Sequence, residues 1–254
     1  MDDNAKSIIK VENITIAYDD FVVLKDINFE VKQGEIFVIL GGSGCGKSTL
    51  LKSMISLIKP VTGKVLIDGK DIVTAQGNEL RDILSGIGVM YQNSALFGSM
   101  NIIENICLVL EEFTNLPKDA MELIANMRLK VVGLEGAGYK MPSELSGGMK
   151  KRAAIARAMA LDPKIIFLDE PGAGLDPITS AQLDELIRKL SRSLNITFVI
   201  VTHELDSIFA IADRVIMLDK ETKSIIATGN PNELRDKSTN PWVKQFFNRQ
   251  AVEK

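Results

Sequence analysis

The chain has 254 residues, with 30 Lys and Arg against 33 Asp and Glu for a formal charge of −3, one histidine (His203) and two cysteines (Cys45 and Cys107). A chain this long buries roughly three quarters of its unfolded surface without staples, two distant cysteines make no disulfide framework, and one histidine with two cysteines cannot build a common zinc site. The slightly acidic balance argues against a dedicated duplex-binding protein, and the cysteine usage fits a reducing, intracellular compartment.

In chain order, Met1-Asp2-Asp3-Asn4 is acidic and lacks the basic-then-apolar layout of a signal peptide, so no leader is expected. Ser7 to Tyr18 and Val22 to Val31 are rich in β-branched and aromatic residues and read as strands punctuated by Asp19-Asp20. Ile36 to Leu40 is a short continuous apolar run, which suits a strand buried on both faces. A glycine-rich loop follows, then a helical pattern from Lys47 to Ile58 ended by Pro60, and a strand from Lys64 to Ile67 turning at Asp68-Gly69. The longest uncharged stretch, Ile83 to Ile103, spans 21 residues but is broken by Gly86, Gly88, Gln92, Asn93, Ser94, Gly98 and Asn101. That much polarity excludes a membrane span, and the stretch is read as loop and buried strand.

Residues 101–160 read as mostly helical, a helical subdomain inserted into an α/β core. Strand-like runs return at Lys164 to Leu168, Ile196 to Val201 and Arg214 to Leu218, separated by helices near Thr179 to Leu194 and Leu205 to Ala212. Such alternation implies a mostly parallel sheet with helices on both faces. The expected fold class is therefore α/β, with an N-terminal antiparallel β subdomain. A single domain is expected over 1–254: core at about 1–100 and 161–229, helical subdomain at about 101–160, tail at 230–254.

Two motifs carry chemistry. Gly41-Gly42-Ser43-Gly44-Cys45-Gly46-Lys47-Ser48 fits the phosphate-loop spacing, with Thr49 directly after it. Glycines let backbone N–H groups curl around phosphate oxygens, and the following helix adds its positive end. Lys47 supplies a point charge to the β- and γ-phosphates, and Ser48 a hydroxyl to Mg²⁺. The second motif, Ile165 to Leu168 followed by Asp169-Glu170, is an apolar strand ending in two acids. Ligands bind at the carboxyl ends of parallel strands, so Asp169 is placed for Mg²⁺ and Glu170 for polarising an attacking water.

Leu145-Ser146-Gly147-Gly148-Met149, followed by Lys150-Lys151-Arg152-Ala153-Ala154-Ile155-Ala156-Arg157-Ala158, resembles the signature loop and helix of the ATP-binding subunit of ABC transporters, a P-loop NTPase family. Ser146 and the Gly147 and Gly148 amides at a helix start form a second anion site. The resemblance implies a head-to-tail homodimer in which each ATP lies between the glycine loop of one subunit and the signature loop of the other. It places Tyr18 as the aromatic on adenine and Gln92 as the glutamine that senses Mg²⁺ and contacts a membrane partner. It also places Gly174-Leu175-Asp176 as the loop joining the two ATP sites, and His203 at the γ-phosphate.

Two positions depart from the family pattern: Met149, where many relatives have glutamine, and Gly42, where proline is frequent. Ser143 to Met149, Asp169-Glu170-Pro171, Gly174 to Ile178 and Ala95 to Asn101 are together similar to the ATPase of Mla-type, Mce-associated phospholipid transporters. The expected protein is thus a cytoplasmic transport ATPase, peripheral on the inner membrane, using ATP and Mg²⁺. Its implied partners are integral membrane permease subunits, a small regulatory subunit and an Mce-type substrate-binding protein. Two other readings are an importer ATPase for a small polar solute such as an amino acid, and a stand-alone ABC ATPase acting on nucleic acid or ribosomes. The latter usually carries two nucleotide domains or long insertions, and this chain has neither; no direct nucleic-acid contact is expected. Cys45 in the phosphate loop suggests sensitivity to thiol reagents. Trp242, Val243, Phe246 and Phe247 make an apolar stripe that packs on its own domain or docks on a partner.

Overall fold

A computed structural model describes residues 6–249. Met1 to Asn4, and residues 250–254 of the tail, lie outside the described residues. The chain divides into two compact units, residues 1–75 with 197–254, and residues 76–196.

In the first unit, β1 (Ser7–Tyr18) and β2 (Phe21–Lys32) form an antiparallel hairpin that turns at Asp19, whose φ is 49°. Asp tolerates this left-handed conformation because its short polar side chain hydrogen-bonds locally. The apolar residues Ile9, Val11, Ile14, Leu24 and Ile27 are buried, while Lys10, Lys25 and Glu30 stay exposed. Then come β3 (Ile36–Gly41), buried along its whole length, and α1 (Lys47–Met54). β4 (Thr62–Ile67) and β5 (Lys70–Asp71) follow. β2, β1, β4 and β5 lie side by side in that order, all antiparallel, forming the expected N-terminal β subdomain. The helical run stops at Met54 rather than Ile58, because Ser56 turns left-handed (φ 63°) and the amides of Leu57 and Ile58 close back on the Lys52 carbonyl.

The second unit begins with α2 (Gly77–Ser85) and β6 (Ile87–Met90), followed by α3 (Ile102–Phe113), α4 (Lys118–Val131) and a single 3₁₀ turn at Pro142–Glu144. It ends with α5 (Gly147–Ala158), β7 (Ile165–Asp169) and α6 (Pro177–Leu194). α2 has no counterpart in the sequence reading. Ile83 is its one buried residue, so it offers little apolar periodicity. The uncharged stretch from Ile83 accordingly opens on the end of a helix before becoming buried strand and loop. α3 starts on a reciprocal cap: Asn101 Oδ1 accepts from the Glu104 amide and Glu104 Oε2 from the Asn101 amide. β6 and β7 pair in parallel, Ile87 with Ile165 through Met90 with Leu168.

The chain then returns to the first unit with β8 (Thr197–Val201), α7 (Leu205–Ile211), β9 (Arg214–Leu218) and β10 (Ile225–Gly229), and ends in α8 (Pro231–Lys237) and α9 (Pro241–Asn248). β3 lies between β8 and β9 and parallel to both, with β10 antiparallel on the outer side of β9. Every residue of β3 and β8 is buried, as expected for central parallel strands with both faces covered. Arg214 pairs with Glu35 through two hydrogen bonds of 2.7 and 2.9 Å, fixing the start of β9 beside that of β3. Among the described residues, no helix is long and apolar enough to cross a membrane.

Candidate functional site

The first unit carries the phosphate loop. β3 delivers it from a buried strand, and its glycines meet a steric demand. At Gly41 (φ 150°) a β-carbon would lie 2.4 Å from the Leu218 carbonyl oxygen, and at Gly46 (φ 100°) 2.9 Å from Leu24 Cγ. Neither position accepts another residue without displacing a neighbour. Gly46 is also the N-cap of α1 and supplies no side-chain acceptor, so the first-turn amides remain available to an anion. Lys47 Nζ donates to the carbonyls of Gly41 (2.9 Å) and Gly42 (3.0 Å), which hold its charge over the loop.

β8 brings His203 to the same edge. Ile39 of β3 pairs with Val201, the last residue of β8, and two residues past that pair come Gly41 and His203. His203 is exposed there, while the preceding Thr202 is buried. Tyr18 ends β1 at the hairpin turn, half exposed, so its ring face is available for stacking.

The second unit repeats this design. Met90 of β6 pairs with Leu168 of β7, and two residues past that pair come Gln92 and Glu170. Asp169 closes β7. Glu170 is 8% exposed and has φ 47°, a left-handed conformation rare for a glutamate. Such strain persists only where the surroundings over-determine it, and it concentrates at functional sites. Gln92 is exposed, but the loop after it is firmly held. Asn105, fully buried, accepts from the Phe97 amide and donates to the carbonyls of Phe97, Met100 and Asn101.

Ser146 caps α5, its hydroxyl accepting from the Met149 amide at 3.3 Å, with Ser146 and Gly147 exposed at the helix start. At Gly148 a β-carbon would come within 2.4 Å of Thr179 Cγ2 of α6. Only glycine lets these helix starts approach so closely. Asp176 caps α6 and accepts from the amides of Ile178 (3.1 Å) and Thr179 (3.0 Å) and from the Thr179 hydroxyl (2.6 Å). The Thr179 hydroxyl, with the backbone amides, holds this carboxyl below the usual range. Asp176 therefore ties the end of the loop at 174–176 to the first turn of α6.

The family model of the ABC transporter matches residues 24–173. The chain is 40% identical over 244 residues to the probable ribonucleotide transport ATP-binding protein mkl of Mycobacterium leprae, covering 96% of this chain and 70% of that one. It is 39% identical over 229 residues to the intermembrane phospholipid transport system ATP-binding protein MlaF of Haemophilus influenzae, covering 90% of this chain and 86% of that one. Among solved structures, the dimeric cassette MJ0796 bound to ADP and Pi superposes with a TM-score of 0.79 at 32% identity, covering 87% of this chain and 98% of that one.

The chain belongs to the ABC transporter family. It is an ATP-binding subunit of that family and hydrolyses ATP, and the expected α/β cassette fold is the observed one.

In this ABC ATPase, Cys45 is 2% exposed, and burial raises its thiol above the ordinary value against the opposing charge of Lys47. The thiolate is the reactive form, so burial counts against the thiol sensitivity expected from its place in the loop. In the native chain, Cys45 is expected to react with an iodoacetamide probe more slowly than the less buried Cys107, with or without ATP. Peptide mapping by mass spectrometry reads this, and fast, ATP-protected labelling of Cys45 would overturn it.

The C-terminal stripe packs on its own unit. Val243 and Phe247 are buried, and the Phe247 ring lies 5.7 Å from that of Phe209 on α7. Asn240 caps α9 by accepting from the amides of Trp242 and Val243. The indole of Trp242 fills space beside Gly42: Cζ2 would lie 3.7 Å from a β-carbon there. The loop position where proline is frequent in the family thus has an aromatic wall in this chain.

One residue escaped the sequence reading. Lys151 of α5 is 6% exposed and donates to the backbone carbonyls of Gln92 and Glu170. It stands between Lys150 and Arg152, and a row of three cations reads as a solvated face.

Proposed function

We propose that two copies of this chain bind two Mg·ATP head to tail and drive membrane permease subunits of a phospholipid transport system. The observation that carries this reading is the 39% identity to MlaF across 86% of that protein, a relative named for intermembrane phospholipid transport. The dimeric state of MJ0796 supports the pairing. In each site, Lys47 and the loop amides of one subunit, with Ser146 and the Gly147 and Gly148 amides of the other, stabilise charge on the transferring phosphoryl group. Tyr18 stacks on adenine, Glu170 orients the attacking water, and His203 holds the γ-phosphate.

Ser48, Asp169 and Gln92 offer hydroxyl, carboxylate and amide oxygens, the hard donors that suit Mg²⁺. The residues present therefore fit that ion, which when bound neutralises phosphate charge. The surface around Gln92 and residues 93–100 meets the permease on the cytoplasmic face of the inner membrane, with a small regulatory subunit and an Mce-type protein completing the assembly.

A second reading, transport of a small polar solute, has support in the 40% identity to mkl, named for probable ribonucleotide transport. One experiment separates them. The chain is purified from its native membrane with its permease and reconstituted in vesicles. Phospholipid movement that requires ATP, with no ATPase response to added ribonucleotides or amino acids, is the expected result. ATPase stimulation by a polar solute, with no lipid movement, would overturn the lipid assignment.

A further inference from the structure

A lysine ammonium as deeply buried as that of Lys151 needs oxygens in place of its lost water. Nζ finds them in the Gln92 carbonyl and, at 3.4 Å, the Glu170 carbonyl. These acceptors lie 59 and 19 residues away in sequence, on the two segments that leave adjacent parallel strands. Both residues belong to the proposed hydrolytic machinery, and Glu170 is the one with the left-handed backbone.

Further along α5, Arg157 repeats the device. It donates to the carbonyls of Ser94 (3.0 Å) and Ala95 (2.7 Å), which also have positive φ, 62° and 48°. One helix, whose first residues follow Ser146, thus fixes the Gln92 loop at two points and the Glu170 turn at one. A charged donor on a carbonyl makes a stronger hydrogen bond than a neutral one, and fixing a peptide plane fixes the direction of the side chain beside it.

We propose that Lys151 is a positioning residue for ATP hydrolysis. It sets the backbones of Glu170 and Gln92 jointly against α5. The inference rests on the reading of Glu170 as the water-orienting group. The arrangement acts on turnover, because Lys151 reaches the backbones of both catalytic segments and lies on a different element from the phosphate loop.

The test compares Lys151→Met, Lys151→Gln and Lys151→Arg in the full chain, measuring steady-state ATPase, MgATP affinity by calorimetry and melting temperature. Lys151→Met is expected to lose about tenfold or more in kcat while KM and Kd stay within about twofold, since misplacing a catalytic group slows chemistry without weakening ground-state binding. Lys151→Arg keeps a charged donor and is expected to recover kcat to within about threefold of wild type. If Lys151→Met does not fold, Lys151→Gln decides: its single amide donor is expected to lower kcat at unchanged Kd.

Wild-type kcat in a folded Met or Gln variant, a kcat loss matched by an equal rise in Kd, or a folded Arg variant as slow as Met would each overturn the proposal. The reading of Glu170 fails separately, if Glu170→Gln turns over ATP normally.

Discussion

Glu170→Gln is expected to bind MgATP with near wild-type affinity and to lose about two to four orders of magnitude in turnover, the range attributed to a positioned general base. The substitution keeps the size of a side chain that is 8% exposed and leaves the left-handed turn after β7 in place. What it removes is the charge and basicity proposed to orient the attacking water. Phosphate release measures the turnover. Gel filtration with MgATP reads the second consequence, a dimer that persists because its ATP is not consumed. A Glu170→Gln chain with unimpaired steady-state hydrolysis would remove Glu170 from the chemistry.

His203→Ala is expected to lose about 100-fold in kcat with MgATP affinity within about twofold, the scale on which removing one preorganised donor to a charged transition state acts. His203 follows β8 in the register that puts Gly41 at the end of β3. Its imidazole is thus anchored to the same parallel pair that presents the phosphate loop. Because its side chain is exposed at a strand end and outside the core, truncation creates no cavity, and the melting temperature is expected to hold. Calorimetric affinity with single-turnover hydrolysis separates the two effects, and a normal hydrolysis rate in His203→Ala would exclude its role at the γ-phosphate.

These two substitutions address opposite ends of one reaction, the water and the phosphoryl group. Losses confined to kcat in both would place the residues in chemistry and leave binding to the phosphate loop.

Much of this was legible in the amino-acid order because the informative pieces are contiguous. A buried strand, a glycine loop and a helix follow one another over residues 36–54, and every demand they meet is local. The apolar run ending in Asp169-Glu170, and Ser146 ahead of Gly147, are local in the same sense. α2, β5 and β10 were not legible: α2 buries one residue, and β5 is two residues long. Such elements owe their form to what they pack against.

By itself, then, the sequence determined the family, the parallel α/β order and the glycine loop that opens α1, since backbone freedom, strand burial and helix starts are written in neighbouring positions. The tertiary structure alone decided which of Lys150, Lys151 and Arg152 turns inward, that Cys45 is buried, and that Trp242 stands against Gly42. Those outcomes join residues far apart in the chain, and a side chain's burial and hydrogen-bond partners are set by packing between elements that no local pattern encodes.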